Sequence, residues 1–248
     1  MRNTVLVGTY HKTGTVWMMS VFQALCKQLQ IPFYDISPSK GVCSTKADRR
    51  EFLIEKIGKR EKCVIFENHC RFDLQNLDLS DVKGVRIVRD PRDVCISAAR
   101  YHPWAQEPWL HIPKEEFGGA TYSQVINGLE TFKDRLIFEM ENASNSTIQK
   151  MLDFDDYGVF ETIHFEKLML DVNMLEWHKL SIKMGFDGIE LVISQRVFYK
   201  KSIFGGATRK RHIQSGSVNQ HEEIFSPDLH DIFMQRFPDA LDRLQYRT

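Results

Sequence analysis

The sequence predicts an α/β fold of three layers, a central parallel sheet with helices on both faces, in a single domain spanning residues 1–248. Three observations carry that prediction. Short apolar runs at residues 5–8, 63–66 and 85–88 have strand length and end in polar or charged residues. Helix-period patterns follow the first and third runs directly. Strands that alternate with helices imply parallel pairing, because a parallel neighbour needs a crossover connection that is most often a helix.

Residues 5–19, VLVGTYHKTGTVWMM, pass from an apolar strand through a loop with two glycines and a lysine into a helix. This is a P-loop-like strand, phosphate loop, helix unit. A helix start exposes unpaired N–H groups and the positive end of its dipole, so a Gly/Thr-rich turn there favours an anion. The order differs from the Gly-Lys-Ser/Thr ending of a nucleoside triphosphate loop, since Lys12 precedes Gly14 and the loop ends Gly14-Thr15. Val16, Met19, Phe22, Cys26 and Leu29 then keep helical spacing, and Pro32 marks a break.

Residues 31–36 read as a second strand, and residues 47–57 as an amphipathic helix closing at Gly58. Residues 62–68 read as a buried parallel strand that delivers His69, and residues 85–88 as another that delivers Arg89-Asp90-Pro91-Arg92-Asp93. Asp90 is suited to N-cap the following helix, with Pro91 at its first position. Residues 102–119, rich in Pro, Trp and Gly, read as an irregular lid. A helix over 122–141, a strand over 159–165, helices over 174–184 and 190–199, a flexible basic closing segment over 201–221 and a final helix capped by Ser226 complete the chain. Ligands of such sheets bind beyond the carboxyl ends of the strands, so Lys12, His69 and Arg89 are expected to gather on one edge.

Lys plus Arg equals Asp plus Glu at 33 each, which leaves no global field to favour nucleic acid or an anionic membrane. No apolar run is long enough to span a bilayer, and no secretory leader pattern precedes Thr4, so a cytoplasmic protein is expected. The five cysteines form an odd set without CxxC spacing, which reads as reduced, mostly buried thiols. The histidines outside the motifs lack metal-ligand spacing, and no metal is expected.

With these sites in view, the chain resembles the sulfotransferases that use 3′-phosphoadenosine 5′-phosphosulfate (PAPS), of the cytosolic and bacterial small-molecule type. The family loop Lys-x-Gly-Thr-x-Trp stands as Lys12-Thr13-Gly14-Thr15-Val16-Trp17. The second signature, Arg-x-Pro-Arg/Lys-Asp-Val with a serine eight positions after the arginine, stands as Arg89-Asp90-Pro91-Arg92-Asp93-Val94 with Ser97. The resemblance runs from the first strand to the final helix and is weak between residues 102 and 158.

By this resemblance the loop amides of residues 13–17 and the Thr15 hydroxyl hold the 5′-phosphate, and Lys12 stabilises the bridging oxygen as the S–O bond breaks. Trp17 stacks on adenine with Phe165 nearby, Arg89 and Ser97 grip the 3′-phosphate, and Arg209, Lys210 and Arg211 close over it. His69 stands where the family places its base, and an imidazole with an ordinary pKa of about 6.5 suits proton acceptance near neutrality. The product is adenosine 3′,5′-bisphosphate. Sulfuryl transfer, like phosphoryl transfer, depends mostly on positioning and fixed donors, and this mechanism requires no metal.

The chain departs from the family at three places. Glu67-Asn68-His69 replaces Lys-Thr/Ser-His, which suggests that Glu67 anchors a cationic acceptor, with a guanidinium alkaloid of the saxitoxin type as the example. His11 replaces the usual proline before Lys12 and adds a ring on the acceptor side. The closing segment reads Arg209-Lys210-Arg211 and Ser215-Gly216-Ser217 in place of Arg-Lys-Gly and Gly-x-Trp. Blander readings stand beside these: His69 as a strand cap, Trp17 as core, the basic run as a solvated turn, and Trp104 and Trp109 as packing rather than acceptor-pocket residues. The rival functions are a nucleotide or small-molecule kinase and a non-catalytic nucleotide-binding module. The sequence expects a small-molecule acceptor, no nucleic-acid or membrane partner, and sets no oligomeric state.

Overall fold

The computed structural model describes residues 4–38, 42–207 and 217–246. Five strands, β1 (Thr4–Gly8), β2 (Phe33–Asp35), β3 (Val64–Glu67), β4 (Val82–Val88) and β5 (Phe160–His164), form one sheet in the order β2-β3-β1-β4-β5. Every pairing is parallel. The described helices are, in chain order, α1 (Thr15–Leu29), α2 (Lys46–Gly58), α3 (Pro91–Tyr101), α4 (Tyr122–Gly128), α5 (Phe132–Glu141) and α6 (Ala143–Leu152). They continue with α7 (Phe165–Met169), α8 (Leu175–Lys183), α9 (Gly188–Lys201), α10 (His221–Ile224), α11 (Pro227–Arg236) and α12 (Ala240–Arg243). None of these is long and apolar enough to cross a membrane.

The chain divides into two compact units, Met1–Val88 with Phe154–Ser217, and Arg89–Asp153 with Val218–Thr248. The first unit holds the sheet. Strand side chains alternate between faces, so Val5, Val7, Val64, Phe66, Val85 and Ile87 share one face, where they pack with α1, α8 and α9. Trp177 and Phe198 stack there with ring centroids 4.2 Å apart, and the Trp177 indole donates to Ser194 Oγ at 2.9 Å. Leu6 and Ile65 point to the other face and are equally buried, as expected of a parallel sheet covered on both sides.

The second unit has its own core of Tyr101, Ala105, Leu110, Tyr122 and Ile126, with Trp109 and Phe138 against it. Beside it lies a polar knot. The buried Glu139 carboxylate meets His102 Nδ1 at 2.5 Å and accepts from Tyr122 OH and Ser144 Oγ, each at 2.9 Å. The expected lid therefore has an anchored start at His102, and it contains two short 3-10 turns, Pro108–His111 and Glu115–Phe117.

Two local expectations differ from the structure. The helix expected over 122–141 is split into α4 and α5, because the chain leaves the helix after Gly128 and Thr131 opens a fresh capping box with Asp134. Ser226 starts α11 without a side-chain cap, since its hydroxyl donates to Asp228 instead. Asp90 does cap α3, accepting from Arg92 N at 2.9 Å with Pro91 at the first position. All five cysteines are buried and unpaired.

Candidate active site

The loop after β1 is locked from within by its threonines. The buried Thr13 hydroxyl accepts from Tyr10 N at 2.8 Å and donates to Tyr10 O at 3.0 Å. Thr15 Oγ1 donates to the same carbonyl at 2.9 Å and is hydrogen-bonded with Thr9 Oγ1 at 2.9 Å. The Thr15 hydroxyl, expected on a phosphate, thus serves the loop itself in this structure. Lys12 sits in the left-handed region at φ 64°, a conformation that costs a non-glycine residue and recurs at ligand-holding loops. Gly14 follows at φ 92°, and a Cβ there would lie 2.9 Å from the Phe165 ring. Glycine is required twice over.

Gly14 is the N-cap of α1, and no side chain caps the helix among the described residues. Its first turn, Thr15, Val16 and Trp17, carries no acid. The amides of those residues lack intrahelical acceptors by the geometry of any α-helix, so α1 presents donors and a positive dipole end at the loop. Trp17 is half-buried between Phe165, edge-on at 6.1 Å, and Phe198, tilted at 5.3 Å. Its Nε1 is enclosed with no hydrogen-bond partner among the described residues.

The neighbouring strand β3 ends level with β1, with Glu67 in register with Gly8. Glu67 is fully buried. Its Oε2 accepts from His69 N and Arg71 N, both at 2.8 Å, and its Oε1 accepts from Arg71 Nε at 3.0 Å and Nη2 at 2.8 Å. The carboxylate expected to anchor a cationic acceptor is instead engaged by an internal cation, a partner four residues ahead that the sequence reading missed. His69 is half-buried on the turn so formed. The next residue, Cys70, is left-handed at φ 54° and packs on Gly8. His11, also half-buried, precedes Lys12 in the loop.

In the second unit Arg89 is buried and lies 3.6 Å from Asp93 through Nη2 and Oδ2. Asp93, itself fully enclosed, accepts from His221 N at 3.0 Å and Gln220 N at 3.3 Å, with His221 Nδ1 at 3.1 Å. Burial pushes the Asp93 carboxyl up, but hydrogen bonds from His221 and the Arg89 charge outweigh it and hold the group below the usual carboxylate range. Ser97 is half-buried on α3. Trp109 packs between His102 and Tyr122 and donates to Glu107 Oε2 at 2.8 Å, whereas Trp104 packs on Tyr101 and donates to Arg100 O at 2.8 Å. Arg209, Lys210 and Arg211 lie outside the described residues.

The structure thus brings the loop of residues 12–17, Phe165, Glu67 and His69 to the carboxyl ends of β1, β3 and β5 in one unit. Arg89, Ser97, Trp104 and Trp109 belong to the other unit, and Arg89 is the residue that directly follows β4.

A family model described as the sulfotransferase domain matches residues 2–243. Among solved structures, mouse sulfotransferase SULT7A1 complexed with PAP is similar at 14% identity and a TM-score of 0.57, over 97% of this chain and 84% of that one. A retinol dehydratase in complex with androsterone and inactive cofactor PAP is similar at 14% identity and 0.56, over 99% and 82%. A retinol dehydratase complex with retinol and PAP gives 0.54 at 14% identity, over 100% and 83%. No curated protein sequence matches the chain.

Proposed function

The chain belongs to the sulfotransferase domain family, and from that premise we propose that it moves a sulfuryl group from PAPS to a hydroxyl or amine of a small molecule. The observation that carries this reading is the start of α1, where an uncapped, acid-free helix end meets a loop with Lys12 and Gly14 both left-handed. Such a loop suits the 5′-phosphate, with the amides of residues 14–17 as donors, the Thr13 amide donating to Tyr10 O at 3.2 Å instead. The enclosed Trp17 Nε1 and the Phe165 and Phe198 rings around it fit the adenosine end.

In this mechanism Lys12 places its ammonium at the bridging oxygen, where negative charge grows as the S–O bond breaks. His69 accepts the proton of the attacking hydroxyl, and transfer proceeds in line. Arg89 and Ser97 hold the 3′-phosphate, a group matched by the guanidinium fork. Arg209, Lys210 and Arg211 add charge to that end. His11, Trp104 and Trp109 belong to the acceptor side of the same proposal.

The acceptor reading changes with the structure. Glu67 and the acids Glu107, Glu115 and Glu116 of residues 102–119 are the groups that would favour a guanidinium alkaloid. Glu67 is now balanced by Arg71, Glu107 accepts from Tyr101 and Trp109, and Glu116 pairs with Lys114. These pairings favour a small hydroxyl or amine acceptor without a required positive charge. Androsterone and retinol, bound by the similar retinol dehydratase, are neutral alcohols of that size.

The test is transfer from PAPS, in the presence of a metal chelator, to a mixed library of phenols, alcohols and amines, read by mass spectrometry. Sulfonated products from the wild type, reduced at least about a hundredfold in Lys12→Ala and His69→Ala, are expected. Equal product from all three proteins sinks the mechanism.

A further inference from the structure

Glu67 is a buried titratable group for which sulfuryl transfer has no direct use. Burying a carboxylate is unfavourable unless it is both paired and hydrogen-bonded. Here both conditions are met by four N–H donors, two from the Arg71 guanidinium and two from the backbone. The backbone pair is telling. The amides of His69 and Arg71 lie on either side of Cys70, so one carboxylate oxygen fixes the peptide that enters His69 and the peptide that leaves the left-handed Cys70. Cys70 N also donates to Glu67 O at 3.3 Å, closing the turn from the main-chain side. The direction in which the His69 side chain leaves the backbone is set by these contacts.

The pair is local in sequence, at i and i+4, yet the turn is not helical. Arg71 is about one-third exposed and Glu67 is wholly enclosed, so the guanidinium reaches inward to the acid rather than the acid outward. The bidentate contact restrains Arg71 as well, because a planar fork on one oxygen leaves little rotational freedom.

We propose that Glu67 is a positioning residue that orients the His69 imidazole toward the acceptor, with Arg71 as the paired counterion that braces its carboxylate. The proposal rests on the reading of His69 as the base. Glu67 touches neither donor nor acceptor. Its effect passes through the turn.

A double-mutant cycle tests this on the full-length protein, with PAPS and whichever of 4-nitrophenol, 2-naphthol, dopamine and 1-hexanol the wild type sulfonates fastest. Glu67→Gln keeps the size and one acceptor oxygen but loses the charge. It is expected to lower kcat at least about tenfold while the Kd for adenosine 3′,5′-bisphosphate stays within about twofold. In the His69→Ala background the same change is expected to lower kcat by less than about twofold, because the group through which it acts is gone. Arg71→Lys keeps a cation and is expected to retain more kcat than Arg71→Ala, which covers the case in which Glu67→Gln fails to fold. A wild-type kcat in Glu67→Gln, or an equal loss with and without His69, overturns the positioning role. An unchanged kcat in His69→Ala, or no turnover of any of the four acceptors by the wild type, overturns the functional reading beneath it.

Discussion

Cys70 Sγ occupies the space that a side chain on Gly8 would need, since a Cβ built on Gly8 would fall 2.1 Å from it. The strand that launches the phosphate loop and the turn that carries His69 are therefore pressed together at a point where only glycine fits. Gly8→Ala is expected to destabilise the fold by about 1–3 kcal/mol through overpacking, read as a lower urea midpoint. Cys70→Ala in the same background should recover part of the loss. The Cys70 Cβ would still lie 3.0 Å away, so recovery is incomplete.

Gly14 meets two separate constraints, the left-handed backbone and the Phe165 ring. Gly14→Ala is expected to cost about 1–2 kcal/mol from the backbone alone, and to weaken adenosine 3′,5′-bisphosphate binding at least about tenfold in calorimetry. Phe165→Leu added to Gly14→Ala relieves the ring contact and leaves the backbone cost. Full recovery of affinity in that double variant would show that the loop conformation is not needed.

The Asp93 carboxyl is held below its usual range, so its contribution has a definite sign. A depressed folded value adds stability above the unfolded pKa of about 3.9, and that stability is lost as pH falls through the lower folded value. The stability gap between wild type and Asp93→Asn is expected to be widest near neutrality and to shrink below about pH 4. Urea midpoints taken across that range check this. A gap that widens with acid would contradict the His221 and Arg89 contacts as its source.

Burial pushes the Cys26 and Cys63 thiols up to about 12, and it raises Cys70 and Cys95 as well. Thiolate is the reactive form, so the native chain should react slowly with a disulfide reagent at pH 8. Denaturant should release all five thiols. Fast reaction of any cysteine in the native protein would place it outside the core.

The first strand, the loop and α1 were legible because period-2 and period-3.6 patterns meet there around glycines. The cap at Asp90 was legible from local chemistry. Other features were not. Gly128 and Thr131 end one helix and start another inside a continuous apolar stripe, so periodicity alone ran through the break. Glu67 announced a charge but not its partner, because sequence shows no side-chain direction. His221 meets Asp93 across 128 positions, a separation that no local signal spans. His102 and Glu139 form a buried pair that hydropathy places on the surface.

The proposed function requires binding of a nucleotide phosphorylated at both the 3′ and 5′ positions, with the loop after β1 proposed for the 5′-phosphate and Arg89 for the 3′-phosphate. Calorimetric titration of adenosine 3′,5′-bisphosphate, adenosine 5′-phosphate and Mg-ATP onto the wild type and Arg89→Ala tests it most directly. The bisphosphate is predicted to bind the wild type at least about tenfold more tightly than the other two, a difference of ~1.4 kcal/mol, and Arg89→Ala is predicted to erase that preference. Equal binding of all three nucleotides by the wild type, or tighter binding of Mg-ATP, would contradict it.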